Sequence, residues 1–151
     1  MKKSALWLAP HFLASSAAFW TFDTARRIAP MRADIHQQMG DIARRLGDFD
    51  GAIAAYRLAL DVDPQFAGVR YELARLLVEK RQLREAETEL LAALDAVPTY
   101  AEASLELAAL RCVTGRPDEA MSLLIELLER DPYHFDALIA LGETLLALHR
   151  R

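Results

Sequence analysis

Apolar residues along this chain fall at intervals of three and four. Ile53, Tyr56 and Leu60 show the spacing, and Leu73, Leu76 and Leu77 repeat it. That is the period of an amphipathic helix, and no alternating strand pattern competes with it. The helical segments themselves recur. Pro30, Pro64, Pro98 and Pro132 stand 34 residues apart, and Ala18, Ala52, Ala86 and Ala120 keep the same step. A fixed period of this size marks an array of one supersecondary unit.

Stacked on that step, the chain sorts into columns. Met39, Leu73, Leu107 and Leu141 form an apolar column, with Gly40, Ala74, Ala108 and Gly142 beside it as a column of small residues. Ala52, Ala86 and Ala120 form a second small column, and Tyr56, Leu90 and Leu124 a bulky one. Small residues let two helix backbones approach, and bulky ones fill the space alongside. Each unit therefore predicts two antiparallel helices. Gly47 and Gly115 suit the left-handed cap of a first helix. Pro117 fits the first turn of a second helix, with Asp118 and Glu119 at its positive end. Thr99 and Glu102 have capping-box spacing at another helix start. Proline lacks an N–H and cannot continue a helix, so it closes each unit. The boundaries so read are a degenerate unit at 1–32, complete units at 33–66, 67–100 and 101–134, and a half unit at 135–151. The fold class is all-α.

Composition supports this reading. The chain has 151 residues, with 53% apolar and 26% charged. That is enough for one ordinary globular domain, and it does not suggest disorder. The net charge of −4 offers no field for nucleic acid. Residues 1–50 carry seven Lys/Arg against five Asp/Glu, and residues 51–151 carry eleven against seventeen. This mild asymmetry reads as solvated helix faces. Cys112 is the single cysteine, so no intramolecular disulfide forms.

The N-terminus has two readings. Lys2 and Lys3, the apolar run Ala5 to Ala9 and the small residues at 14–18 resemble a signal or anchor over residues 4–20. Against cleavage, Ala18, Phe22, Ala25 and Pro30 keep the register of the later units. Retention in the cytoplasm is the expectation, with export or membrane association as the alternative.

The columns carry a family resemblance. The segment His36, Met39-Gly40, Ala43, Ala52, Tyr56, Pro64, with the turn Leu46-Gly47-Asp48-Phe49, resembles the tetratricopeptide repeat. The family's first aromatic is replaced by His36, Arg70, Ser104 or Leu138, and its tyrosine by Ala43, Leu77, Arg111 or Leu145. Its structural signature falls on Gly40, Ala52, Tyr56, Pro64, Ala74, Ala86, Pro98, Ala108, Ala120 and Pro132. The resemblance implies a right-handed α-α superhelix whose first helices line a concave, protein-binding groove. Carried over by position, the groove residues are Gln37, Asp41, Arg44, Tyr71, Arg75, Val78, Leu105, Ala109, Cys112, Ile139 and Glu143, with Leu146 following. The row is polar at its N-terminal end and apolar toward the other. That suits a peptide or helix with a charged end and an apolar body. Some family members clamp the C-terminal carboxylate of chaperones with cationic groups. Here the corresponding faces offer Gln37, Asp41, Glu72, Glu102 and Glu106, whose acidic groups would repel it.

Other chemistry is weakly signalled. His11, His36, His134 and His149 are scattered and read as capping or surface residues, so no metal is expected. Cys112 reads as a small packed residue. Glu85, Glu87, Glu89, Glu126 and Glu129 read as solvated helix surface. No phosphate-cradling glycine loop or acid–base pair points to an enzyme or a cofactor. Arg26, Arg27 and Arg32 read as a charge match at a helix C-terminus.

The ends carry the last signal. Solenoids keep soluble by polar outer faces on their terminal units. Trp7, Leu8, Phe12, Phe19, Trp20 and Phe22 crowd the first segment, and Leu138, Leu141, Leu145, Leu146 and Leu148 surround the last helix. Such ends suit a longer array, burial by a partner or in a homo-oligomer formed through the terminal helices, or relaxation that hides them within the monomer. The expected function is a non-enzymatic scaffold or adaptor. The alternatives are a membrane-associated or exported assembly factor and a regulatory module of a larger enzyme.

Overall fold

A computed structural model of the chain describes residues 32–150. The 1–32 unit, the 4–20 signal or anchor, His11, and Arg26 and Arg27 lie outside the described residues, except that Arg32 is described and pairs with Asp34 at 2.6 Å. The described chain is seven helices in series: α1 (Ala33–Arg45), α2 (Phe49–Val62), α3 (Ala67–Glu79), α4 (Leu83–Ala96), α5 (Ala101–Val113), α6 (Pro117–Arg130) and α7 (Phe135–His149). Helices α1 with α2, α3 with α4, and α5 with α6 form the tightest pairs. Successive pairs stack through α2 on α3, α4 on α5 and α6 on α7. The architecture is a helical solenoid of helix-turn-helix units.

The turns repeat as closely as the helices. Within each pair the chain reverses through a left-handed residue: Gly47 at φ +78°, Arg81 at φ +61° and Gly115 at φ +81°. The amide after it then reaches back to the last turn. Asp48 donates to the Ala43 carbonyl at 2.9 Å, Gln82 to that of Leu77 at 2.8 Å and Arg116 to that of Arg111 at 2.7 Å. This is the Schellman closure of a helix C-terminus. Glycine supplies the left-handed residue twice, whereas the middle unit holds Arg81 there, a position that costs a side chain about 1–2 kcal/mol.

Between pairs, Pro64, Pro98 and Pro132 each follow the residue at which the second helix ends. Phe66 donates to the Asp63 carbonyl at 3.2 Å, Tyr100 to that of Val97 at 3.1 Å and His134 to that of Asp131 at 3.2 Å. Each proline thus takes the second position of a hydrogen-bonded β-turn, where its fixed φ is preorganised. The prolines therefore shape the corner as well as ending the helix.

The core is built from the small and bulky columns. Tyr56, Leu90 and Leu124 are fully buried, as are Ala52, Ala86 and Ala120. A Cβ added to Gly40 would stand 2.4 Å from the Tyr56 ring. Only glycine admits an aromatic there. Where the bulky residue is Leu90 or Leu124, the small residue is Ala74 or Ala108. The Tyr56 hydroxyl donates to Asp41 at 2.6 Å, so the buried ring keeps its polar tip satisfied.

Several expectations give way here. Thr99 and Glu102 do not form a capping box: α5 begins at Ala101 with Tyr100 at its N-cap and no side-chain cap. The repeat corner fixes that start one residue later than the Thr99 signal. His36 is buried, and among the described residues its Nδ1 has no hydrogen-bond partner, so it is neither a cap nor a surface residue. It fills the core position of the family's first aromatic. His134 does cap α7, accepting from Ala137 at 3.3 Å.

Glu87 and Glu89 are not free surface carboxylates. Arg70 pairs with Glu89 at 2.6 Å and also donates to the Pro64 carbonyl at 2.9 Å and 2.7 Å. Arg111 and Arg116 both reach Glu87, at 3.4 Å and 2.6 Å. Two arginines that replace family hydrophobes are thus answered by carboxylates from α4.

Candidate protein-binding face

The first helices of successive units, α1, α3, α5 and α7, stand side by side. Arg44 on α1 lies 3.9 Å from Glu72 on α3, and Arg75 lies 3.7 Å from the same carboxylate. Cys112 Sγ on α5 is 3.4 Å from Thr144 Oγ1 on α7. Along this row Gln37, Asp41, Arg44, Tyr71, Arg75, Val78, Leu105 and Cys112 are half-buried, whereas Ala109, Ile139, Glu143 and Leu146 are exposed. Half-buried side chains are held by neighbours yet still offer surface.

The centre of the row has the most structure. The Tyr71 and Tyr100 rings pack at 5.4 Å, tilted by 52°, and the Arg75 guanidinium sits 5.7 Å from the Tyr71 ring centre. That is a cation–π arrangement. Burial pushes the Tyr71 phenol up; Arg75 opposes the rise, and Glu106, Glu72 and Glu102 add to it. Tyr100 is likewise raised, by burial first and then by Glu102. Three carboxylates thus surround an aromatic pair and one arginine. Next to them a cleft of about 350 Å³ opens among Val78, Arg81, Leu83, Glu106, Ala109, Leu110 and Val113.

Asp41 differs from the other residues of the row. It accepts the hydrogen bond from buried Tyr56, so its carboxylate is committed to the core. Tyr100 was not among the sequence candidates, although a signal for it exists. Phe66, Tyr100 and His134 stand 34 residues apart, and each occupies the N-cap position of a first helix. Among the described residues no cluster of His, Cys, Asp and Glu could hold a metal, and no helix is long and apolar enough to cross a membrane.

A family model for the tetratricopeptide repeat matches residues 43–110. The same architecture recurs in solved structures of such domains. The first TPR of Spaghetti (RPAP3), bound to the HSP90 peptide SRMEEVD, superposes with a TM-score of 0.71 at 24% identity, covering 78% of this chain and 96% of that one.

Residues 43–110 are tetratricopeptide repeats, and the described chain has the fold of such domains.

Two further structures extend the likeness of this repeat protein. The MamA protein superposes with a TM-score of 0.77 at 16% identity, covering 92% of this chain and 78% of its own. The Arabidopsis OM64 TPR domain superposes at 0.68 with 19% identity, covering 74% and 93%. At these identities the likeness concerns the fold. In sequence, 49 residues are 45% identical to cellulose synthase operon protein C of Pseudomonas fluorescens (strain SBW25). That match takes in 32% of this chain and 4% of the relative's length. The tetratricopeptide fold is that of a protein–protein interaction module.

Proposed function

We propose that the face formed by α1, α3, α5 and α7 binds a peptide or helix of a partner protein, and that the chain is a non-catalytic scaffold. The observation that carries this is the Tyr71–Tyr100 pair with Arg75 over it, beside an open cleft. Aromatic and arginine side chains held by their neighbours lose little entropy on docking, and such residues dominate binding energy at interfaces. The partner meets Arg44, Glu72 and Arg75 with its charged end. Its apolar body lies toward Leu105, Ile139 and Leu146.

The Spaghetti domain bound to an HSP90 peptide supports peptide binding as a use of this fold. The carboxylates of Glu72, Glu102 and Glu106 favour a different peptide here, one without a free acidic tail at that site. The short match to a far longer protein favours a second reading, a module that serves within or beside a larger assembly. Retention in the cytoplasm belongs to the first reading; a native N-terminus beginning at Met1 or Lys2 supports it, and one beginning beyond residue 20 overturns it.

The test is a pull-down with the wild-type chain, followed by direct titration of the recovered partner against Tyr71→Ala and Arg75→Glu. About tenfold weaker binding in each, with far-ultraviolet dichroism unchanged, is expected. Equal affinity in both variants retires the groove.

A further inference from the structure

Helix α7 opens a unit that no described helix completes. Gly142 stands at the repeat position of Gly40, Ala74 and Ala108. Gly40 lies against the Tyr56 ring, and Ala74 and Ala108 are buried in the same clusters as Leu90 and Leu124 of their second helices. Among the described residues nothing lies within 4 Å of a Cβ placed on Gly142. Leu138 and Leu145 flank it at 47% and 48% exposure, although Leu77, at the repeat position of Leu145, is fully buried. The result is a notch between two leucines, matching the place where Tyr56 rests on Gly40.

We propose that this notch is filled by a second copy of the chain, through its residues 18–30. The pairing in the other units indicates the kind of side chain required. Alanine accompanies leucine, and glycine accompanies the aromatic Tyr56, so Gly142 matches an aromatic. Phe22 stands one repeat before Tyr56, with Ala18, Ala25 and Pro30 in the columns of Ala52, Ala59 and Pro64. Residues 18–30 lie outside the described residues, and their match is one of sequence register. The position that would oppose Phe22 in its own unit holds Leu6, on a stretch interrupted by Pro10. Leucine there is larger than either small residue the array uses. Phe22 thus lacks its glycine, and Gly142 lacks its aromatic.

The far side of the same segment also has a place. Ile42 on α1 is 55% exposed, whereas Leu76 and Leu110, its repeat equivalents, are 1% and 4% exposed within the core. A segment lying on α1 of its own copy and on α7 of the next continues the solenoid from one chain into another. The donating and receiving surfaces differ, so the contact is heterologous and the assembly runs head to tail.

Sedimentation of the 151-residue chain over a concentration series tests this. The expected result is a mass rising above 16.9 kDa as concentration increases. Gly142→Phe fills the notch from within and favours helix, so it spares the fold while weakening association about tenfold or more. Phe22→Ala weakens it similarly, and Phe22→Tyr retains it, which separates a lost contact from a misfolded segment. Each deficient variant keeps one sound end, so an equal mixture of Gly142→Phe and Phe22→Ala forms a dimer that does not grow. A wild-type chain that stays monomeric overturns the proposal, which is the outcome expected if chain continuation or another protein covers α7. Association unchanged in Gly142→Phe overturns it as well.

Discussion

Gly40 and Gly142 occupy one repeat position and meet opposite surroundings. At Gly40 the backbone of α1 touches the ring of Tyr56, and a single methyl group would collide with it. At Gly142 the same methyl group would enter open space among the described residues. The residue type is shared, but only in the first case does the glycine hold two helices together. A repeat motif therefore specifies a pair of positions, and the meaning of one depends on its occupant across the unit. The Gly40/Tyr56, Ala74/Leu90 and Ala108/Leu124 sets are three solutions to the same spacing.

The largest expected effect comes from removing the bulky member of the tight pair. Tyr56→Ala leaves a cavity in the core and an unanswered Asp41 carboxylate, and should cost about 3–5 kcal/mol in denaturant titration. A loss under about 1 kcal/mol would mean that the ring does not hold α1 to α2. Next in size is a rescue. Tyr56→Leu alone and Gly40→Ala alone should each destabilise, whereas together they reproduce the Ala74/Leu90 pair. The double-mutant cycle should return a favourable coupling of about 1–2 kcal/mol. Strict additivity would break the pairing rule.

Smaller effects sharpen the comparison between units. Arg81→Gly gives the middle turn the residue its two counterparts already have, and should stabilise by about 0.5–1 kcal/mol. A destabilised variant would show that the Arg81 side chain makes up for its strained backbone. The weakest effect is on pH dependence. Hydrogen bonding and charge from Arg116, then Arg111, hold Glu87 below the usual carboxylate range, against a smaller opposing effect of burial. A carboxylate depressed in the folded state contributes stability above its unfolded pKa and loses it as pH falls through the folded value. Glu87→Gln should therefore flatten the acid limb of the stability profile below about pH 4.5 and narrow its gap to wild type there. An unchanged acid limb would mean that the pair forms without energetic consequence.

Much of this architecture was legible because repetition makes columns visible. The period predicted helix pairs, and Gly47, Gly115 and Pro117 announced their turns through their own backbone limits. The Arg70–Glu89 and Arg111–Glu87 pairs were not legible. Their partners lie 19 and 24 residues away, offsets set by side-chain reach across helices rather than by any fixed step. His36 misled because a titratable ring in an aromatic column can serve as core. On the candidate face, the row of positions followed from the repeat. Which side chains engage one another depended on helix packing that no spacing encodes. Asp41 shows this, since its place in the row conceals its bond to Tyr56.

The most direct measurement places one substitution at both glycines. Gly40→Ala and Gly142→Ala are compared by denaturant titration at dilute protein concentration. Alanine is favoured over glycine in a helix by about 1 kcal/mol, and overpacking a filled contact costs about 1–3 kcal/mol. The expected result is opposite signs: net loss of stability at Gly40 and a gain approaching 1 kcal/mol at Gly142. Equal gains at both positions would contradict the claim that the close approach to Tyr56 holds the first unit together.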